Sequence, residues 1–219
     1  MSIRAVGTVA GGVAFAAAAA VVAYPLLWRK RCLAWGATAD EVSAQMPGDD
    51  LMPSPDPIST RAITVEAPPS AIWPWLVQMG SGRGGAYTYD WIENLFGLGM
   101  HSANEILPQF QDLKVGDVLP LGSENAPRMR VEVVDRERAL VVRSSDGNWV
   151  WAFGLYPEGK HTRLVSRNRI KMPGASAPAR LGWAVVMEPG SLVMERKMLL
   201  GIKQRAERLA ATPSAPGAG

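Results

Sequence analysis

Four runs of alternating apolar and polar residues between positions 128 and 171 constrain the fold most strongly. In the clearest run, every second position from Trp149 to Leu155 is a large apolar residue. This period of two is typical of a strand with one buried face. Asp146-Gly147 and Pro157-Glu158-Gly159-Lys160 are turn signals between runs. The pattern predicts an antiparallel meander with strands at Arg128–Asp135, Ala139–Ser144, Trp149–Tyr156 and Thr162–Lys171.

The elements around the meander complete an α+β arrangement. A β-branched run, Ser59–Glu66, predicts an earlier strand, and a short helix from Ala71 to about Met79 follows it. Residues 80–127 and 173–190 are interpreted as irregular. A helix of about twenty residues begins at Pro189-Gly190-Ser191. We expect a curved antiparallel sheet around this long C-terminal helix, with a gap between them suited to an apolar ligand.

The N-terminus carries an apolar run that could cross a membrane. From Ala5 to Trp28 there are 24 residues without a charge, which as a helix span roughly 36 Å. Arg29-Lys30-Arg31 follow, so the positive-inside rule places the rest of the chain in the cytoplasm. A cleaved signal peptide ending near Val21-Val22-Ala23 and a buried soluble helix are the alternatives.

The predicted organisation has four parts: a single transmembrane anchor with its basic flank at 1–31, a Pro-rich linker or strap at 32–57, the α+β domain at 58–211, and a disordered tail at 212–219. Residues 1–31 hold four basic residues and no acid, which leaves 19 basic and 20 acidic residues elsewhere. That balance argues against nucleic-acid binding. One cysteine and two distant histidines predict neither a metal site nor a disulfide framework, and no cofactor motif fits its required context.

Several segments carry a likeness to a known superfamily. They are Ala67–Gly80, Gly82–Gly85 with the tyrosines that follow, Asp112–Asp117, and Glu188–Met198. In these segments the chain resembles the SRPBCC superfamily, the helix-grip group that includes START lipid-binding domains and polyketide cyclases, and in particular its membrane-anchored bacterial members of unassigned activity. The resemblance covers about residues 33–210. It implies the helix-grip fold, and it decides little about function because the fold hosts carriers and enzymes alike.

Gly80, Gly82 and Gly85 fit the G-x-G-x-x-G spacing of dinucleotide sites. Such a site needs a strand before the motif and a helix directly after it, and neither is predicted here. We interpret the glycines as a tight turn. The turn directs Arg83, Tyr87 and Tyr89 either into the core or into the cavity.

Glu195 is the most informative single residue. At 100° per residue it falls within the apolar stripe of the C-terminal helix, beside Leu199. A carboxylate there requires a cationic or hydrogen-bonding partner or must protonate. Arg83, Arg167 and Arg169 are the candidate partners. The pair is either structural or orients a ligand.

Further cavity candidates come from the meander. Ser166 and Asn168 share one face of the last strand, while Arg163, Arg167 and Arg169 share the other, interpreted as a solvated face or one attracted to anionic headgroups. Trp149 and Trp151 suit a flat or lipidic ligand. His101 is interpreted as a structural histidine rather than an acid/base partner of Asp90 or Glu105.

These observations predict a membrane-anchored protein that binds a hydrophobic small molecule or lipid. The alternatives are a cyclase- or dehydratase-like enzyme that uses Glu195 with Arg83 or His101, and a scaffold whose cavity is filled. The sequence does not decide whether a reaction is catalysed. The candidate ligand-binding residues are Arg83, Tyr87, Tyr89, Trp149, Trp151, Ser166, Asn168, Glu195 and Leu199.

Overall fold

The alternating runs form one antiparallel sheet. The structure is a computed structural model that describes residues 24–122 and 128–212. The strand order of the six-stranded sheet is β1-β6-β5-β4-β3-β2, so the first strand of the chain lies beside the last. The strands are β1 (Ile58–Val65), β2 (Val118–Pro120), β3 (Arg128–Asp135), β4 (Ala139–Ser144), β5 (Trp149–Glu158) and β6 (His161–Ile170).

Helices precede, interrupt and follow the sheet. They are α1 (Arg29–Leu33), α2 (Ala39–Ser43), α3 (Pro69–Val77), α4 (Asp90–Leu95), α5 (Ala177–Gly182) and α6 (Glu188–Ala211). Turns of π-helix at Tyr24–Trp28 and Trp183–Met187 lead into α1 and α6. The sheet and the long C-terminal helix α6 confirm the predicted α+β helix-grip arrangement.

Two segments interpreted as irregular contain secondary structure. Residues 173–190 include α5 and the π-helical turn, a correction to the predicted loop. Ser176 begins α5, since its side chain accepts a hydrogen bond from the backbone N–H of Ala179 at 3.4 Å. Within 80–127 the chain forms α4 and the short strand β2. Their apolar residues are too few to show a period.

The main core lies between the inner face of the sheet, α3 and α6. The period of two places alternate residues of each strand on this face, and the period of 3.6 turns one stripe of α6 toward it. The fully buried residues of this core include Ile72, Leu76, Val131, Leu164, Leu199 and Ile202.

The outer face of the sheet is also covered. Residues 35–56 cross it, and Met46 and Met52 form a second apolar cluster with Val141, Val150 and Val165. Opposite this segment, Arg167 and Arg169 both pair with Asp49, at 2.7 and 3.0 Å. The prediction of a solvated arginine face is therefore wrong, because the covering segment supplies an acid and backbone carbonyls.

The covering segment begins along the free edge of β1. The backbone N–H of Ala62 donates to the carbonyl of Trp35 at 3.1 Å. Gly36 follows with a φ of +72°, and a Cβ there would lie 2.1 Å from the Ala62 carbonyl oxygen. Only glycine permits this close approach, which pairs part of an otherwise exposed sheet edge.

The predicted transmembrane run lies outside the described residues except for positions 24–28, as does the predicted tail from residue 213. Across 24–122 and 128–212, every helix is too short or too polar to cross a bilayer.

Candidate ligand-binding cavity

An apolar cavity of about 410 Å³ lies between the inner face of the sheet, α6 and the α4 region. Ligand sites for small molecules fall in this size range and are lined mainly by apolar and aromatic side chains. The wall combines residues from β5, the π-helical turn, the loop after α4 and α6. They include Trp149, Trp151, Trp183, Met100, Met194 and Met198.

The alternation of β5 places two tryptophans in this wall. The rings of Trp149 and Trp151 stack with centroids 5.5 Å apart. Their indole N–H groups donate to Asn168 Oδ1 at 2.8 Å and to Ser166 Oγ at 2.9 Å. Because both donors are satisfied from β6, the rings present apolar surface toward the cavity.

Glu195 also lines the cavity, and its partner is Arg61. Arg61 is fully buried; its Nη1 donates to Glu195 Oε2, its Nη2 donates to Ser191 Oγ at 3.0 Å, and its Nε donates to the carbonyl of Cys32 at 3.1 Å. This buried cation requires the carboxylate as its counter-charge.

The prediction that Arg83, Arg167 or Arg169 pairs with Glu195 is wrong. Arg61 lies opposite Ser166 in the register of β1 and β6, so both side chains point inward. Arg167 and Arg169 alternate to the outer face, and Arg83 turns back to backbone carbonyls. The alternation of Ser59, Arg61 and Ile63 was the signal for an inward arginine, but identifying its partner requires knowing that β1 borders β6.

One oxygen of Glu195 has no hydrogen-bond partner. Asn168 Nδ2 donates to Oε2 at 3.2 Å, whereas Oε1 is buried without a donor. Removal from water raises the pKa of Glu195, and the attraction of Arg61 opposes that rise.

A second buried carboxyl lines the same cavity from α4. Glu93 is only 7% exposed, and its Oε2 has no partner. Burial raises the pKa of Glu93, the nearby Thr88 hydroxyl opposes the rise, and the charge of Asp90 adds to it. The sequence analysis missed Glu93 because α4 lies in a segment without a clear period, so no face could be assigned to it.

A third carboxylate, Glu188, lies in the wall where α6 begins. Arg29 holds it with Nη2 to Oε1 at 2.8 Å and Nε to Oε2 at 2.9 Å, and the Tyr24 hydroxyl donates to Oε2 at 3.0 Å. The backbone carbonyl of Glu188 accepts from Cys32 Sγ at 3.2 Å. Residues 24–33 are thereby fixed to the cavity wall, to which Leu33 contributes directly.

Four predicted site residues line the cavity: Trp149, Trp151, Asn168 and Glu195. Ser166 and Leu199 lie behind the wall, where Ser166 accepts from Trp151 and Leu199 is part of the core. The contact of each with a ligand stays a prediction.

Arg83, Tyr87 and Tyr89 do not line the cavity, which corrects the expectation for them. Arg83 donates to the carbonyls of Val77 at 2.9 Å and Met79 at 3.2 Å, at the end of α3. The Tyr87 hydroxyl donates to the Trp75 carbonyl at 2.9 Å, and the ring of Tyr89 lies under Lys197. All three contact the protein rather than the cavity because the turn that carries them folds back.

That turn is formed by the glycine motif. Gly80 and Gly85 exchange backbone hydrogen bonds at 3.0 Å, and α3 has ended at Val77 before them. The next helix starts only at Asp90, so the strand and helix that a dinucleotide site needs are not beside the motif.

The acid/base alternative involves His101, which is exposed. Asp90 instead accepts from the backbone and hydroxyl of Ser102, at 2.8 and 2.6 Å. Within the described part of the chain, no group of three His, Cys, Asp or Glu side chains could hold a metal ion.

No protein-family model and no curated protein matches the chain. Among solved structures, it is similar to protein MLL2253 of Mesorhizobium loti, with 15% identity over 68% of this chain and 97% of that one, at a TM-score of 0.40. The KanY protein matches with 14% identity over 68% and 95%, at 0.43. A Corynebacterium glutamicum protein described as polyketide cyclase-like matches with 14% identity over 70% and 89%, at 0.34.

The structural neighbours thus include the polyketide cyclase-like class of the predicted SRPBCC resemblance. At these identities and TM-scores, neither a ligand nor an activity transfers to this chain.

Proposed function

We propose that this protein binds a hydrophobic small molecule or lipid in the cavity between the sheet and α6. The observation that supports it is the space of about 410 Å³ lined by tryptophan and methionine side chains. Protein interiors are normally packed with few voids larger than a water molecule. A space of this size inside the core argues for an occupant and against the alternative of a scaffold with a filled cavity.

The proposal is tested by titrating the purified protein with phenylnaphthylamine, an apolar fluorophore. Its emission should rise on binding and saturate. Met194→Trp, which fills the cavity from α6, should weaken binding about tenfold, since it displaces ligand contact area worth at least 1.4 kcal/mol.

Val193→Trp is the matched control, because Val193 is the neighbouring residue of α6 and is 53% exposed. It should bind the fluorophore as the wild type does. Equal binding by both variants, or no saturable binding by the wild type, contradicts the proposal. Native mass spectrometry of the detergent-purified protein would identify a co-purified ligand.

An enzyme of the cyclase or dehydratase type is the second candidate function. It is favoured by two carboxyls with raised pKa, Glu93 and Glu195, in one cavity, since such groups serve as general acids or bases. Arg61, rather than Arg83 or His101, would accompany Glu195. A co-purified molecule whose mass or chromatographic retention changes on incubation with the wild type, but not with Glu93→Gln, would support catalysis. Retention is needed because a cyclisation alone conserves mass; no change in either quantity favours a carrier.

We also propose that residues 5–28 anchor the chain in a membrane, with residues 32–219 in the cytoplasm. The uncharged run and the basic residues after it support this orientation. The contacts of Tyr24 and Arg29 with Glu188 would then hold the cavity close to the bilayer. Protease added to intact spheroplasts should spare the domain, and digestion there would contradict the proposed topology.

A further inference from the structure

The charged groups in the cavity wall are all acidic. Glu93, Glu188 and Glu195 line it, and no Lys, Arg or His occurs among the described lining residues. Glu188 is neutralised by Arg29, and Glu195 is paired with Arg61. Glu93 has no cation within salt-bridge distance among the described residues.

Two carboxyl oxygens in this wall lack a hydrogen-bond donor. They are Glu195 Oε1, on α6, and Glu93 Oε2, on α4. The hydroxyls of Ser166 and Thr88 lie near these two carboxyls, but neither hydroxyl is in hydrogen-bond geometry with them. Each side chain is 7% exposed, so bulk water reaches neither oxygen freely. A buried acceptor without a donor is unfavourable by an amount comparable to a lost hydrogen bond, and native proteins leave few of them.

We propose that the ligand is an apolar molecule with hydrogen-bond donors, hydroxyl or amine, at two separate points, one for Glu195 Oε1 and one for Glu93 Oε2. This rests on the proposed function, since it presumes that the cavity holds a ligand. The same wall disfavours anions, so free fatty acids and phosphate headgroups are not the molecules it selects.

The preference for donors follows from the chemistry of the wall. An ionised carboxylate only accepts hydrogen bonds, so an approaching hydroxyl or ammonium satisfies it while another carboxylate repels it. Arg61 does not serve an anion in the cavity, because it is fully buried behind the wall and donates to Glu195, Ser191 and the Cys32 carbonyl. A site with buried acceptors discriminates strongly against a molecule without donors, because the acceptors would stay unpaired. A purely apolar site discriminates less between ligands of different size or shape.

The test measures competition against bound phenylnaphthylamine. The competitors are a length series of alkane diols with a hydroxyl at each end, the monoalcohols of equal length, the corresponding fatty acids, and amino alcohols. The best diol should displace the fluorophore at about tenfold lower concentration than its monoalcohol, as a further hydrogen bond to a charged group allows. Since the second hydroxyl makes the diol less hydrophobic, apolar burial alone predicts the opposite order.

The fatty acid should be the weakest competitor of each length. If the amino alcohol competes better than the diol, one donor of the ligand is an ammonium. If the diol competes better, both donors are hydroxyls. Either order agrees with the proposal. A fatty acid that competes as well as the diol, or a diol no better than its monoalcohol at every length, overturns it.

Glu93→Met removes the second acceptor while keeping the side-chain length. In this variant the ratio of diol to monoalcohol affinity should fall to one or below, because the second hydroxyl then has no acceptor. Glu158→Met is the matched control, because Glu158 is 55% exposed at the turn between β5 and β6 and lies outside the cavity wall. It should keep the wild-type ratio.

The two proposals fail in different ways. If the wild type does not bind phenylnaphthylamine, the proposed function fails. If the fluorophore binds and the diols gain nothing over the monoalcohols, only the inference about donors fails. The wild-type comparison decides this even if Glu93→Met does not fold.

Discussion

At the scale of single residues, Arg61 and Glu195 form the most consequential contact. The guanidinium is fully buried and the carboxylate is 7% exposed. Removing one charge from such a pair leaves the other buried without compensation, which is far more harmful than replacing both. The pair connects β1 to α6 beside the cavity, so it affects both stability and binding.

We therefore expect Glu195→Gln to lower the free energy of unfolding by about 3 kcal/mol. The double variant Arg61→Met with Glu195→Met should lose less than the single variant. Urea unfolding measures both, and Asp112→Asn, in an exposed pair with Lys114, is the control. The single variants Arg61→Met and Glu195→Met complete the cycle, and a double variant that loses the sum of their two losses would contradict a coupled buried pair.

Glu93 should make stability depend on pH. Burial raises the pKa of Glu93 above its usual value of 4.5, so the folded protein binds this proton more tightly than the unfolded chain. Its contribution to stability is full below pH 4.5 and is lost as the pH rises through the folded-state pKa. Glu93→Gln cannot lose a proton, so it should gain about 1 kcal/mol over the wild type between acidic and neutral pH.

The comparison is made by chemical unfolding at a series of pH values. Parallel curves for the wild type and Glu93→Gln would mean that the carboxyl is solvated in the folded protein. Glu158→Gln, at an exposed position, should follow the wild type throughout.

At the scale of elements, the segment Tyr24–Leu33 is attached to the start of α6. Arg29 and Tyr24 both bond the carboxylate of Glu188, which is 3% exposed. The π-helical turn Trp183–Met187 precedes α6 and supplies Trp183 and Met187 to the cavity wall. Movement of this segment would therefore change the cavity wall.

Arg29→Gln should loosen residues 24–33. Because Arg29 is 39% exposed, we expect a stability loss of only about 1 kcal/mol. The decisive measurement is hydrogen exchange, which should quicken in 24–33 and at the start of α6 while the sheet remains unchanged. Lys30→Gln, at the exposed neighbouring position, should leave both unaffected.

At the scale of the whole molecule, the sheet has packed layers on both faces. The inner face packs on α3 and α6, and the outer face packs on residues 35–56. An antiparallel sheet often leaves one face in water. Here the second apolar cluster and the Asp49 ion pairs stabilise the sheet from the face opposite the cavity.

Asp49→Asn should accordingly destabilise the whole fold. It leaves Arg167 and Arg169 without their carboxylate, and we expect a loss of about 2 kcal/mol in a single cooperative transition. The adjacent Asp50→Asn is the control, since Asp50 is exposed. An earlier, separate transition for residues 35–56 would show that the covering segment is not part of the cooperative unit.

The sequence by itself determined which residues of β5 and α6 face the interior between them. A period of two placed Trp149 and Trp151 on the inner face of the sheet, and helical phase placed Glu195 on the buried stripe of α6. These assignments depend only on residues within one strand or one helix, where backbone geometry sets the direction of each side chain. The strand boundaries at Arg128–Asp135 and Ala139–Ser144 were predicted for the same reason.

Only the tertiary structure decided which residues meet. Arg61 reaches Glu195 across 134 positions because β1 borders β6, and a strand order is not encoded in the period of any single strand. Glu93 enters the cavity from a segment without a period, and Asp49 meets the outer arginines because residues 35–56 cross the sheet. Pairing between distant residues depends on how elements pack. The direction in which a side chain points from a strand or helix depends on that element's own backbone. The candidate cavity depends on both.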